Sequence, residues 1–225
     1  MTKIRCIVCA VFLICTVALI PRPASADVVY TTFGPSGQYD VNVNHGWAIS
    51  GSCCSNQVEA EPFTLGAGTT VEDAVLALGH VAGDNNPVNV YIESDSGGVP
   101  GSIIATLSQA GTILPYSNGW DGGLVTFTCS GCTLGAGSYW LVAQEPDAST
   151  EQIWDWTYND QIALGKIPFN QIGSATGPWS QGNGPIEAFE IDGPASGVPE
   201  PASILLFATA ALGIGITRRR SISRG

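Results

Sequence analysis

The chain alternates apolar and polar side chains over Val88-Asn89-Val90-Tyr91-Ile92-Glu93. Successive side chains of an extended strand point to opposite faces, so the three apolar residues share one face and the three polar ones share the other. A strand with one face on a core and one toward water is typical of antiparallel sheets. This stretch therefore predicts antiparallel β-structure.

Similar short runs recur along the chain between clusters of Gly, Pro, Asn and Asp, and no helical period is visible before residue 200. Regularly spaced short strands with turn residues between them are typical of β-sandwiches. The sequence predicts an all-β fold, an antiparallel, jelly-roll-like β-sandwich. The predicted strands are Val28–Phe33, Trp47–Ser50, Glu59–Thr64, Glu72–Leu78, Val88–Glu93, Ile103–Leu107, Leu124–Cys129, Ser138–Gln144, Gln152–Tyr158 and Ile186–Ile191.

The first 26 residues have the pattern of a secretory signal peptide. Lys3 and Arg5 precede an apolar stretch, and Ala24-Ser25-Ala26 forms an A-x-A cleavage site. We therefore expect signal peptidase to cut after Ala26 and to leave Asp27 as the first residue of the mature chain. The sandwich domain is then expected over residues 27–197, which is a normal length for one domain.

The last 28 residues, 198–225, combine three features in a fixed order. Val198-Pro199-Glu200-Pro201 comes first, an uncharged apolar run over about 202–217 follows, and Arg218-Arg219-Arg220 closes the pattern. The run is short for a membrane span, which takes about 20 apolar residues, and the arginines are expected on the cytoplasmic side. A buried core helix is the other interpretation. We expect a single transmembrane helix that holds the preceding domain outside.

These C-terminal residues resemble the PEP-CTERM sorting signal of Gram-negative bacteria. The resemblance implies recognition by an exosortase, a membrane enzyme thought to cut near the Pro-Glu-Pro. A second resemblance, over most of residues 50–192, is to the choice-of-anchor domains, extracellular β-sandwiches with no established activity. It is carried by Phe63-Thr64-Leu65, Val90-Tyr91-Ile92, Gly98-Val99-Pro100-Gly101, Ile103-Ile104-Ala105-Thr106-Leu107 and Leu134-Gly135-Ala136-Gly137-Ser138-Tyr139-Trp140-Leu141-Val142.

Residues 27–197 carry 18 acidic side chains against Lys166 alone, a net charge of −17. Such a surface repels nucleic acid and anionic membrane, so no nucleic-acid partner is expected. It suits divalent cations or a polyanionic matrix bridged by them, although solubility alone also explains it. The six tryptophans and many β-branched residues provide enough apolar surface for a core.

Four cysteines remain once the signal peptide is removed. They are Cys53, Cys54, Cys129 and Cys132. Export to an oxidising compartment makes disulfides the default state. We expect two bridges that join the Cys53–Cys54 loop to the Cys129–Cys132 loop, and two local bridges are the alternative.

The sequence contains no recognisable catalytic set, and we expect a protein that is not an enzyme. Its two histidines, His45 and His80, lie in unrelated segments, and no G-x-S-x-G elbow follows a strand. A pair of carboxylates could hydrolyse glycosides, but 18 acidic residues make a close pair expected by chance. No phosphate-binding or dinucleotide-binding loop occurs.

Two kinds of ligand remain open. Oxygen-rich loops make a calcium site conceivable at Asp84, Glu93 and Asp95, although the same residue types are plain turn formers, and no other cofactor is expected. Sugar contact is the second possibility, because aromatic faces stack on sugar rings. Its candidates are the loop residues Trp120 and Trp179 and the strand pair Trp154 and Trp156, which alternation also assigns to the core.

Together these patterns predict an exported protein that its tail holds in the inner membrane for exosortase processing and that then joins the cell envelope or extracellular matrix. We expect a non-enzymatic structural or binding role associated with exopolysaccharide and biofilm. The alternatives are a lectin-like module with a defined sugar specificity and, further off, a secreted glycoside hydrolase.

Overall fold

The computed structural model describes residues 26–42, 45–51, 56–83, 88–117, 120–147, 149–158 and 164–195, of which Ala26–Pro194 form one compact unit. The predicted signal peptide, the Pro-Glu-Pro segment, the predicted membrane helix, Cys53, Cys54 and Asp84 lie outside these residues. Within them, no helix is long and apolar enough to cross a membrane.

The described residues form fourteen strands and no helix, and all but one of the strand pairings are antiparallel. The strands are β1 (Asp27–Thr31), β2 (Gly46–Ser50), β3 (Val58–Leu65), β4 (Thr69–Ala82), β5 (Asn89–Asp95), β6 (Pro100–Ala110), β7 (Leu114–Ser117), β8 (Trp120–Asp121), β9 (Gly123–Leu134), β10 (Gly137–Gln144), β11 (Glu151–Asp155), β12 (Leu164–Asn170), β13 (Ser180–Pro185) and β14 (Phe189–Gly193). The predicted antiparallel β-sandwich is confirmed.

The strands are hydrogen-bonded in the order β1-β14-β4-β9-β6-β5-β10-β3-β12-β13, and the sheet curls into two facing layers. Strand β6 connects the layers, because Pro100–Leu107 pair with β5 and Ser108–Ala110 pair with β9. Strands β11 and β2 extend the first layer beside the second half of β4. The second layer ends at β12 and β13, which pair with each other. Strand β12 also pairs with β3, through Phe169 and Asn170.

The core lies between the two layers and takes large side chains from both. Leu76, Phe127 and Phe189 come from the first layer, and Phe63 and Ile92 come from the second. Each of these side chains is at most 1% exposed, and such burial contributes about 1.5–3 kcal/mol per side chain. The alternation in β5 directs Ile92 into this core and therefore explains why that face of the strand packs between the layers.

The outer face of the second layer is also partly covered, which local alternation does not predict. Residues 171–179, between β12 and β13, bring Ala175 and Trp179 against Trp140 and Val142 of β10. Glu93 of β5, which is paired with Trp140, is consequently buried rather than exposed to water.

The structure joins Cys129 to Cys132, whose Cα atoms are 5.7 Å apart. This placement favours the local alternative for these two cysteines, and the pairing of all four cysteines stays a prediction. The cause of this placement is a bulge in β9 opposite β4, where Gly131 adopts a φ of +75° that favours glycine. This bulge brings the two cysteines together, and both pack on the core.

Candidate functional site

An open cleft of about 260 Å³ lies where β2 of the first layer meets the end of the second layer. Strand β2 forms one wall, and β3, β12 and β13 form the rest. The lining combines aromatic, amide and carboxyl groups and contains no cationic side chain among the described residues. It consists of Trp47, Gln57, Glu59, Ile167, Phe169, Gln171, Gly182 and Asn183.

Trp47 forms a wall of the cleft in a defined orientation. Its indole Nε1 donates a hydrogen bond of 2.9 Å to the carbonyl oxygen of Pro185 at the end of β13. Its ring also packs on Trp156, with the ring centroids 5.8 Å apart. Because both contacts fix the half-buried indole, it presents an aromatic surface without a large ordering cost on binding.

One of the two inner glycines of β13 allows this packing. A Cβ placed on Gly184 would lie 2.7 Å from Cζ2 of Trp47 and 3.0 Å from Cδ1 of Ile167, whereas one on Gly182 would lie at an ordinary 3.5 Å from Cε1 of Phe169. Only the absence of a side chain at Gly184 lets Trp47 approach β13 so closely. The glycine therefore sets the shape of the cleft.

Glu59 lies at the floor of the cleft and is only 1% exposed. Burial raises the pKa of its carboxyl to about 8, against a smaller lowering effect of the hydrogen bond that Gln57 Nε2 donates to Oε1. Its Oε2 has no hydrogen-bond partner among the described residues. At neutral pH the group is consequently protonated and can donate a hydrogen bond.

Glu61 lies two residues further along β3, on the same face, but it does not line the cleft. It is fully buried, and its Oε1 accepts a hydrogen bond of 3.1 Å from the backbone N–H of Glu187. Burial, and next the neighbouring Glu59, raise the pKa of Glu61 well above its ordinary value. The described lining of the cleft thus offers one carboxyl group.

The described tryptophans among the predicted sugar contacts have different surroundings. Trp154 is fully buried in the core, where its Nε1 donates to the carbonyl oxygen of Ala188 at 3.0 Å. Trp156 is half-buried behind the cleft, between Trp47 and His45. Trp179 packs on the outer face of the second layer, and the side chain of Trp120 lies outside the described atoms. Sugar contact by these residues stays a prediction.

The calcium candidates do not form a cluster in the part of the chain that the structure describes. Asp95 Oδ1 accepts hydrogen bonds from Trp140 Nε1 at 2.9 Å and from the backbone N–H of Gly98 at 3.2 Å. Burial raises the pKa of Glu93 to about 7. No group of three or more His, Cys, Asp or Glu side chains suited to a metal occurs among the described residues. The calcium site stays a prediction from loop composition.

Sequence reasoning missed the residues that form this cleft. Trp47 and Glu59 lie in predicted strands, but their spacing carries no sign that they meet. Phe169 and Asn183 belong to β12 and β13, which the sequence did not predict. The only available signal was composition, since the region has aromatic and amide residues but few apolar runs.

Residues 197–220 match the PEP-CTERM protein-sorting motif, which confirms the sequence interpretation of this segment. No curated protein and no solved structure matches the chain. The motif indicates an exported chain that is targeted to an exosortase, processed at the membrane, and then located at the cell surface or outside the cell.

Proposed function

Starting from a chain that carries a PEP-CTERM protein-sorting motif, we propose that its sandwich domain is a non-enzymatic binding protein of the envelope or extracellular matrix. Its ligand is the exopolysaccharide of the cells that export it, and its binding site is the cleft at Trp47. This role accords with the destination that the motif indicates.

One observation carries the proposal: the aromatic side chains of Trp47 and Phe169 line a single open cleft together with amide residues. Aromatic faces pack well on the C–H faces of sugar rings, and amides bond hydroxyl groups as both donors and acceptors. Small-molecule sites characteristically combine such apolar walls with a few convergent polar groups.

The lining also favours binding over hydrolysis. Glycoside hydrolysis generally needs two carboxyl groups on either side of the scissile bond. Glu59 is the one carboxyl group among the described lining residues, and Glu61 is enclosed in the interior. A binding role needs no second acid.

The proposal is tested by titrating the full-length chain, in mild detergent, with exopolysaccharide from the cells that export it. We expect saturable binding that is weakened at least tenfold, or about 1.4 kcal/mol, by Phe169→Ala and by Trp47→Ala. The matched control is Leu164→Ala, an apolar truncation on the same strand as Phe169 at a side chain that is 75% exposed.

Two further arms separate the alternatives. If Trp120→Ala or Trp179→Ala weakens binding while Phe169→Ala does not, the ligand site is elsewhere and the cleft assignment fails. If new reducing ends appear when the polymer is incubated with the protein, the chain is a hydrolase and the non-enzymatic role fails.

A further inference from the structure

We infer that the cleft at Trp47 selects an uncharged sugar, so that its ligand is a neutral polysaccharide and not a polymer of uronate or sulfated units. This inference rests on the proposed function and names the ligand class of the same site. The structure supports it through the charges around the cleft, the polar groups inside it and its size.

The cleft offers no charge that could pair with an anionic sugar. Its described lining contains no Lys, Arg or His. Lys166, the only Lys or Arg residue of 27–197, neighbours Ile167 on β12, so its side chain lies on the opposite face from the cleft. A carboxylate that enters such a site loses part of its hydration and gains no cationic partner in return. The net charge of −17 also repels a polyanion before contact.

The polar groups of the lining match hydroxyl groups better than carboxylates. Gln57, Gln171 and Asn183 are amide residues, which carry both donors and acceptors, as a sugar hydroxyl does. Gln57 is oriented by its hydrogen bond to Glu59. The carboxylate or sulfate group of an anionic sugar only accepts hydrogen bonds, so it cannot satisfy the acceptor oxygens that it would meet here.

The size of the cleft fits a short ligand. Its volume of about 260 Å³ lies just below the range of roughly 300–1,000 Å³ that is common for small-molecule sites. It is open on one side, and a single sugar residue or two at a chain end or branch fill such a space. Specificity is therefore decided by the one or two units that enter.

The test uses exopolysaccharide from the exporting cells, separated by anion exchange into neutral and acidic polymers. The full-length chain is titrated with each fraction in detergent, at pH 6, with EDTA and at low salt. We expect the dissociation constant for the neutral fraction to be at least tenfold lower. A cation placed in the cleft by Gln171→Lys is expected to improve binding of the acidic fraction severalfold.

Leu164→Lys is the matched control, because it makes the same change of net charge at an exposed position of β12 outside the described lining. It is expected to change acidic binding by less than twofold. The inference is overturned if the unmodified chain binds the acidic fraction as tightly as the neutral one or more tightly. It is also overturned if binding appears only when millimolar calcium replaces the EDTA. Either result leaves the proposed function intact. If the folded chain binds neither fraction, the proposed function falls together with the inference.

Discussion

At the scale of single residues, the scarcity of cations decides the state of the buried acids. Lys166 is the only Lys or Arg residue of 27–197, so a carboxyl taken from water here cannot in general be neutralised by an ion pair. Such a group keeps its proton instead. Burial accordingly raises the pKa to about 8 for Glu59 and Glu145 and to about 7 for Glu93 and Asp192.

Asp40 behaves in the opposite way because it has partners. Burial raises the pKa of its carboxyl, but hydrogen bonds from His45 and Asn42 outweigh that effect and leave the pKa below its ordinary value. Its Oδ2 lies 2.7 Å from Nδ1 of His45. Glu59 differs because burial dominates there and its hydrogen bond from Gln57 only partly offsets it.

We predict that the domain loses stability as the pH rises from about 5 to 9. The native pKa of Glu59 is raised above its unfolded value, so the native state binds more protons between the two. Its contribution is complete below the unfolded pKa and is lost as the pH rises through about 8. The glutamine in Glu59→Gln cannot ionise. We therefore expect the free energy of unfolding of this variant to fall less between pH 5 and pH 9 than that of the unmodified chain, by on the order of 2 kcal/mol.

Urea unfolding of both chains at pH 5, 7 and 9 checks this expectation. Glu151→Gln is the control, because it changes the same charge at a residue that is only half-buried. If Glu59→Gln and the unmodified chain lose the same stability between pH 5 and pH 9, the raised pKa given to Glu59 is wrong.

At the scale of elements, the two strands that complete the cleft are those whose sequences are least like strands. Strand β13 reads Ser180-Gln181-Gly182-Asn183-Gly184-Pro185, and β12 contains Pro168. Gly and Pro are disfavoured in strand interiors and mark turns, so local preference assigns both segments to loops. The two segments nevertheless pair with each other as strands. They do so at the end of the second layer, where they have few neighbouring strands.

The two glycines of β13 provide a matched pair of variants. Gly184→Ala should displace Trp47, destabilise the fold by about 1–3 kcal/mol and weaken exopolysaccharide binding. Gly182→Ala introduces the same methyl group on the same strand at ordinary contact distance from Phe169, so a much smaller loss of stability is expected. Thermal unfolding measures the stability of both variants, and the binding titration measures the effect of Gly184→Ala on the cleft. Equal losses of stability in the two variants would contradict the role given to Gly184.

At the scale of the whole molecule, the sorting motif and the proposed binding site lie in separate parts of the chain. The sorting motif occupies residues 197–220, beyond the compact unit Ala26–Pro194 that contains the cleft. A change in the motif is therefore expected to alter where the protein is found and not what the sandwich binds.

We predict that material recovered from outside the exporting cells lacks Ile216 and all later residues, because processing at the motif removes them. Replacing Pro199, Glu200 and Pro201 by alanine should keep those residues and leave the chain in the membrane fraction. Intact-mass measurement of both forms reads the C-terminus directly. Arg224→Ala, outside the matched segment, is the control and should be processed normally. Detecting Ile216 in the external form of the unmodified chain would refute cleavage.

The sequence by itself determined the strand-rich architecture and the sorting motif, because both depend on neighbouring residues. Alternation places Val90 and Ile92 on one face of β5 whatever surrounds them, and the Pro-Glu-Pro tail is a contiguous pattern. All ten predicted strands overlap an observed one; β7, β8, β12 and β13 were not predicted.

Only the tertiary structure decided which of these faces are covered and which aromatic residues form a cleft. Trp47, Glu59 and Phe169 come from three strands that meet when the sheet curls, and no local pattern records that meeting. Likewise, the exposure of Trp154 and Trp179 depends on which distant segments pack over them. Side-chain direction is a property of the strand, whereas burial is a property of its neighbours, and these are assembled from residues far apart in the chain.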